Sequence, residues 1–424
     1  MSEEWSLAAI AAVVVAYAAL SRRLDRTPIT AAIFFVSCGL LLGSKGLGLV
    51  ELEASGEQVR LLAETTLTLV LFADASRIDL VALRREYFVP ARLLGIGLPL
   101  TIGAGCALAA GLFPELSFGE ALLLAIILAP TDAALGQAVV TDSRLPSRIR
   151  QGLNVESGLN DGICVPLLVI ALAISDADAH AETTHGAVAL VAKAIGYGVL
   201  FGALCGIAGG LLLRLVRRRG LAEASWLQVV PVGAAAASYG LASPLGGSGF
   251  IAAFVAGLLF GAVRRGTDDE TYLLAELGEL SNAVTFVVFG AAIVGPVLAD
   301  ATWKAGLYAV LSLTVVRMLP VAVAFVGTQA RPPTVAFTGW FGPRGLASIV
   351  FTVVVLEEST LPFVSTMTVV VVATIVLSVY AHGLTARPFT SRYVAWYLAH
   401  PKDRRPTMES VEVEPHRWRR SVRA

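Results

Sequence analysis

The stretch Asn154-Val155-Glu156-Ser157-Gly158-Leu159-Asn160-Asp161 places two carboxylates and two amides inside a segment that otherwise has the hydropathy of a membrane span. A charged group at bilayer depth costs at least ~2.5–3.5 kcal/mol on insertion scales, so such residues mark ion or proton paths. Upstream, Ala129-Pro130-Thr131-Asp132 puts another acid and a helix breaker into the preceding apolar segment. Pro130 has no amide hydrogen for the carbonyl four residues back. Backbone carbonyls and the Thr131 hydroxyl are thereby freed as neutral oxygen ligands. Ser157 and Asp161 share one helical face, and Glu156 and Asn160 the neighbouring one. One carboxylate with several neutral oxygens suits a small, hard monovalent cation. A low-dielectric site disfavours the charged form of that carboxylate, so a proton competes with the cation for it. Mutually exclusive occupancy of one site is the minimal device for exchange.

The elements that must position these residues are membrane helices. Hydrophobic residues make up 56% of the 424 and charged residues 15%, against ~25% charged in soluble domains, and the mean hydropathy is +0.74. The composition therefore predicts an all-α integral membrane protein whose surroundings are the lipid bilayer, with no nucleic-acid partner and no cofactor. Cys38, Cys106, Cys164 and Cys205 are widely spaced in apolar segments and read as packing residues. Apolar stretches fall near 6–20, 28–43, 60–76, 88–112, 119–140, 151–174, 186–216, 226–243, 247–263, 275–298, 303–328, 334–356 and 361–385, which predicts about 13 transmembrane helices. The region 226–263 reads either as two short helices or as one re-entrant unit.

Basic residues cluster in alternate connections: Arg22, Arg23 and Arg26; Arg84 and Arg85; Arg144, Arg148 and Arg150; Arg217, Arg218 and Arg219; Arg264 and Arg265; Arg331. The loop 175–185 carries acids and no Lys or Arg. The positive-inside rule puts the amino terminus outside and the carboxyl terminus in the cytoplasm, in the plasma (inner) membrane. The acidic start Met1-Ser2-Glu3-Glu4 is unlike a cleavable signal. A membrane unit over 1–390 and a short cytoplasmic tail over 391–424 are expected, the tail resting on the inner leaflet through Trp396 and Tyr397.

Thirteen helices divide into two inverted six-helix repeats, about 6–174 and 226–385, joined by a linker helix at 186–216. The fifth helix of each half is interrupted, by Pro130-Thr131-Asp132 and by Gly342-Pro343-Arg344-Gly345, and paired interruptions point to a transport site. Asp132, Asp161 and Arg344 each lie ten or eleven residues from a basic or helix-ending residue, roughly 15–17 Å deep, so two unwound helices cross near the midplane. Glu156 is expected to pair with Arg344, since an arginine at that depth needs a counter-charge. Arg317 reads as a structural cation with no partner assignable, and Asp74 as an interfacial or access-path acid. His180 and His185 read as loop residues.

These motifs resemble the signatures of the monovalent cation/proton antiporters, in the sodium/proton exchanger branch with an Asn-Asp pair. The resemblance extends over the chain to about residue 390. It implies a homodimer with an elevator-like movement of a mobile core (helices 4–6 and 11–13) against an interface domain (helices 1–3 and 8–10). It implies that Asp161 binds the cation and the proton in turn, that Thr131, Ser157 and Glu156 lie in or beside the coordination shell, and that Asn160, Asp132, Arg344 and Pro130 shape the site. It also implies electroneutral exchange. Asp74 stands where relatives often carry Glu, and Ala133 where they often carry Pro. The expected activity is Na+/H+ antiport, with Li+ or K+ as further possible cations and K+/H+ antiport as the alternative. An intramembrane hydrolase using Asp132 and Asp161 as a dyad and a passive channel are the remaining readings.

Overall fold

The computed structural model describes the chain outside residues 1–2, 54–55, 79–82, 84–85, 133, 181–183, 265–267, 359–360, 401–404 and 414–424. Ala133, Arg84, Arg85, Arg265, residues 181–183 and the end of the tail thus lie outside the described residues; helix runs over Ser147–His180 and Thr184–Arg219, so His180 and His185 lie in helices and not in the loop expected over 175–185. The helices are α1 (Glu3–Leu24), α2 (Ala31–Leu42), α3 (Glu57–Arg77), α4 (Phe88–Leu112), α5 (Phe118–Ile127), α6 (Gln137–Val140), α7 (Ser147–His180) and α8 (Thr184–Arg219). They continue with α9 (Val229–Ala242), α10 (Gly249–Arg264), α11 (Tyr272–Leu298), α12 (Trp303–Ala324), α13 (Pro332–Trp340), α14 (Leu346–Glu358) and α15 (Val364–Leu398). Among the described residues there is no strand.

Helix occupies each apolar stretch marked out in the sequence. Among the described residues seven helices, α1, α4, α7, α8, α11, α12 and α15, are long and apolar enough to cross a membrane; α3 is 21 residues long but carries Glu57, Arg60, Glu64, Asp74 and Arg77, and the other stretches hold shorter or interrupted helices. The ambiguous region 226–263 resolves into α9 and α10, separated by a turn in which Gly246 takes the left-handed φ of 78° that glycine accepts without a Cβ penalty.

Hydrophobicity does not draw one helix to another in lipid, so small residues that let backbones approach carry the packing. The long helix α8 lies along α10 through Gly198, Gly202, Gly206 and Gly210, one glycine per turn. A Cβ at Gly206 would press on the carbonyl oxygen of Ala256. The next face of α10 approaches α3 in the same way, Gly257 against Phe72 and Gly261 against Ser76.

Carboxylates tie the helix ends. Ser117 and Glu120 form a capping box at the start of α5, and the second oxygen of the buried Glu120 accepts the Phe363 N–H ahead of α15 at 3.2 Å. Arg60 at the start of α3 pairs with Glu64 at 2.8 Å and with Glu357 of α14 at 2.9 Å. In the connection between α6 and α7, the Arg144 guanidinium hydrogen-bonded to Asp142 holds that carboxyl below the usual carboxylate range. Arg144 is exposed, so the pair contributes little to stability.

The tail departs from the expected surface anchor. Met408 and Glu409 are buried, and Glu409 Oε1 accepts from the Arg331 N–H at 2.9 Å and the Thr334 hydroxyl at 2.6 Å, at the start of α13. Ser147, at the start of α7, receives the Val413 N–H on its hydroxyl at 3.0 Å. Tyr397 is buried within the last turns of α15 and is not laid on a surface.

The glycine stripe gives a paired prediction. Gly196, also on α8, has open space where a Cβ would sit. Gly196→Ala should therefore hold or raise stability by up to about 1 kcal/mol, the helix-propensity gain, whereas Gly206→Ala should lower it by about 1–3 kcal/mol through overpacking. Thermal melting in detergent reads both; equal shifts for the two variants would contradict the close α8–α10 contact.

Candidate ion-binding site

Two interruptions meet at the centre of the molecule. The backbone leaves α5 at Ile127 and re-enters helix at Gln137, and it leaves α13 at Trp340 and re-enters at Leu346. Pro130 and Pro343 lie inside the two breaks, as expected for residues without an amide hydrogen. Each break strands carbonyls and N–H groups in a largely buried setting, and other residues satisfy several of them. The Asp132 N–H donates to the Pro343 carbonyl at 2.8 Å, which joins the two unwound stretches directly. Asp132 Oδ1 accepts from the Ala134 and Leu135 N–H groups at 2.7 and 3.2 Å, and Oδ2 from the Leu346 N–H at 2.8 Å. One carboxylate thus stands at the entry to the α6 turn and at the N-terminus of α14, where the helix dipole favours negative charge. The Ser348 hydroxyl donates to the Ile127 carbonyl at the end of α5 at 2.7 Å.

The polar face of α7 looks onto this crossing. Asn160 Nδ2 donates to Thr131 Oγ1 at 2.6 Å, and Thr131 Oγ1 lies 3.2 Å from Ser157 Oγ. Asp161 is 8% exposed, and its Oδ1 has no hydrogen-bond partner among the described residues; the same holds for Asn160 Oδ1. A buried oxygen without a donor is costly, so each of these two oxygens is a position that a cation or a proton could satisfy. Asp132 and Asp74 are the charged groups that act on Asp161. Asp74 is near Arg77, at 3.5 Å, and its Cβ is 3.9 Å from the position a Cβ would take on Gly158, one turn before Asp161. Thr131, Ser157 and Asn160 are therefore brought together, Asp161 stands one turn after Ser157, and Asp132 and Asp74 lie within electrostatic reach of Asp161.

The expected Glu156–Arg344 pair is not made. Arg317 of α12 takes the Glu156 carboxylate in a two-pronged contact, Nη1 to Oε1 at 2.6 Å and Nη2 to Oε2 at 2.9 Å, with both side chains buried. Depth placed Glu156 and Arg344 at one level but not in one direction. The Arg344 side chain folds back on its own segment, Nη1 donating to the Gly342 carbonyl at 2.8 Å, within electrostatic reach of the Glu156–Arg317 pair. The glycines flanking Arg344 make room for charged groups from other elements. A Cβ on Gly342 would fall on the Arg317 guanidinium, and one on Gly345 on the Asp132 carboxylate.

Sequence reasoning missed Ser378 and His382. Both are buried on α15, and they reach the Arg344 N–H and the Trp340 carbonyl. Their signal was a pair of polar residues four apart in the apolar stretch 361–385. Asp132 commits both oxygens to backbone N–H groups, unlike a member of a proton-sharing catalytic dyad.

Fold and site together define a multi-pass helical membrane protein built around two crossing helix interruptions. Residues 9–392 match the family described as sodium/hydrogen exchanger, transmembrane, and the chain belongs to that family. It is 27% identical over 354 residues to the K(+)/H(+) antiporter NhaP2 of Shewanella sp. (strain ANA-3), covering 82% of this chain and 59% of that one. It is 26% identical over 325 residues to the K(+)/H(+) antiporter NhaP of Alkalimonas amylolytica, covering 74% and 54%. The chain thus spans little more than half the length of these curated relatives. Its fold matches that of the sodium proton antiporter MjNhaP1 from Methanocaldococcus jannaschii at pH 8, with a TM-score of 0.71, 20% identity, and 90% of this chain and 100% of that chain covered.

The Glu156–Arg317 contact carries a stability prediction. Removing one member of a buried pair leaves an uncompensated charge and costs about 3–5 kcal/mol. Arg317→Gln should therefore melt far below the parent in detergent, and adding Glu156→Gln should recover part of the loss. A double variant no more stable than Arg317→Gln would show that the two are not energetic partners.

Proposed function

We propose that this chain is a secondary antiporter that exchanges a monovalent cation, Na+ in the first reading, for protons across the plasma membrane by alternating access. The observation that carries the reading is the buried Asp161 carboxylate, whose Oδ1 lacks a hydrogen-bond partner beside the equally unpartnered Asn160 Oδ1. The cation would lie against Asp161, with the Thr131 and Ser157 oxygens beside it, and a proton on Asp161 would displace it. Asp132 and Pro130 shape the crossing. Asp74 serves as an acid on the access path. Glu156 acts through Arg317, because both its oxygens are already engaged.

The wider arrangement follows the same reading. Thirteen spans form inverted repeats over about 6–174 and 226–385, with α8 as the linker. This is supported by the interruptions at 128–136 and 341–345, which occupy the fifth apolar stretch of each half and touch through Asp132 and Pro343. Helices 4–6 and 11–13 of that plan would move against helices 1–3 and 8–10 in a homodimer. The arginines in alternate connections put the amino terminus outside. K+/H+ exchange is the second reading, favoured by the names of the NhaP2 and NhaP relatives.

Two measurements test the proposal. Asp161→Asn should abolish cation-driven dequenching of a pH dye in proteoliposomes while leaving a folded, membrane-inserted protein; substantial exchange by that variant would sink the mechanism. With Asn160 in place of a second acid, one cation moves against one proton and no net charge crosses. The initial rate should therefore stay constant when a membrane potential is clamped, and a rate that scales with voltage would contradict this. Na+ and K+ gradients compared in the same assay separate the two readings.

A further inference from the structure

The α13–α14 break is held, besides its contacts to Asp132, by a chain of hydrogen bonds from α15. At one lip, the Trp340 carbonyl lies 2.9 Å from His382 Nε2. At the other, the Arg344 N–H donates to Ser378 Oγ at 2.6 Å. Ser378 Oγ in turn lies 3.2 Å from His382 Nδ1. Ser378 and His382 are one helical turn apart and both are buried.

Donor and acceptor roles follow from the groups themselves. A carbonyl oxygen only accepts, so Nε2 carries the ring proton. A backbone N–H only donates, so Ser378 Oγ accepts from Arg344 and its own hydrogen is free for Nδ1. Nδ1 also lies 3.0 Å from the Ser378 carbonyl, but with the neutral ring's one proton on Nε2 the hydroxyl is the donor it can use. An imidazole protonated on Nε2 alone completes an unbroken chain from Arg344 through Ser378 and His382 to Trp340. The Trp340 indole is fixed to the same helix, its Nε1 donating to Thr385 Oγ1 at 2.9 Å, with its ring 5.0 Å from that of His382. Between the two lips, Pro343 accepts from the Asp132 N–H and Leu346 donates to the Asp132 carboxylate.

We propose that His382, working through Ser378 as a neutral imidazole, is a positioning residue for the cation site: it sets the span from Trp340 to Arg344 and thereby the placement of Asp132 beside Asp161. The inference rests on the antiport reading, in which Asp161 and its oxygen neighbours hold the cation.

The test compares wild type, Ser378→Ala, His382→Leu, His382→Gln and the double variant Ser378→Ala, His382→Leu in proteoliposomes, with whichever of Na+ and K+ the wild type exchanges. His382→Leu and Ser378→Ala should each raise the half-saturating cation concentration about three- to tenfold, the factor carried by one net hydrogen bond. The maximal rate per folded transporter should change little. His382→Gln, whose amide can donate to Trp340 and accept from Ser378, should bring half-saturation back toward wild type, and the double variant should be no worse than its components. Unchanged half-saturation in His382→Leu, failure of Gln to rescue, or additive effects of the two single changes would each overturn the proposal. A wild type that exchanges neither cation would remove the antiport reading. The strap itself is then decided by hydrogen–deuterium exchange: Ser378→Ala should speed exchange at the Arg344 amide in the folded protein, and unaltered protection there would refute it.

Discussion

The structure depends on satisfying, without water, the backbone of two helices that stop in the interior and start again. In the low-dielectric interior an unpaired N–H or carbonyl costs several kcal/mol, and the interruptions at 128–136 and 341–345 create a cluster of them. Much of the polar character around the crossing answers that demand. Asp132 takes three N–H groups and gives its own to Pro343, Ser348 covers the Ile127 carbonyl, and Ser378 with His382 covers Arg344 and Trp340. Toward the ends of the same elements, Glu120 and Glu409 serve the starts of α5 and α15 and of α13. Carboxylates recur in this role because a helix N-terminus offers both donors and a favourable field.

Against that background the groups left over stand out. The Asp161 and Asn160 oxygens face the crossing with no donor among the described residues, although neighbouring backbone groups there are served. The framework serves the backbone around the crossing while leaving these two oxygens unserved, and the proposed exchange of a cation for a proton rests on that difference. Glu156 would otherwise be a rival carboxylate on the same helix. Arg317 neutralises it, with its guanidinium admitted by the missing side chain of Gly342.

Much of this was legible in the residues. Hydropathy located the helices, and Pro130 and Pro343 located the breaks, because both signals act along the chain. Depth counting put Asp132, Asp161 and Arg344 at one level, and Asp132 does meet the segment that carries Arg344, through Pro343 and Leu346. It failed for Glu156, because residue counting measures distance along a helix and says nothing about the direction in which a side chain leaves it. Arg317 and Arg344 were both available, and only the packing of α12 over Gly342 decides between them. Ser378 and His382 were hidden for a related reason: two polar residues in an apolar run have no visible partner until the break they serve is folded against them. The tail was read as lying on the inner leaflet because Trp396 and Tyr397 stand beside basic residues, yet Tyr397 and Glu409 are buried, Glu409 by virtue of where the start of α13 lies.

Glu409 also bears on the order in which the molecule can be completed. The ribosome delivers Arg331 and Thr334 more than seventy residues before the carboxylate that accepts from them. Helix α13 must therefore be threaded into the bilayer with its first turn unserved by that group, and the start of α13 reaches its final form only after α15 has been made and the chain has turned back. The tail is in this sense the closing stitch of assembly, and a nascent chain arrested before residue 409 would hold every residue of the crossing but not the carboxylate that finishes the start of α13.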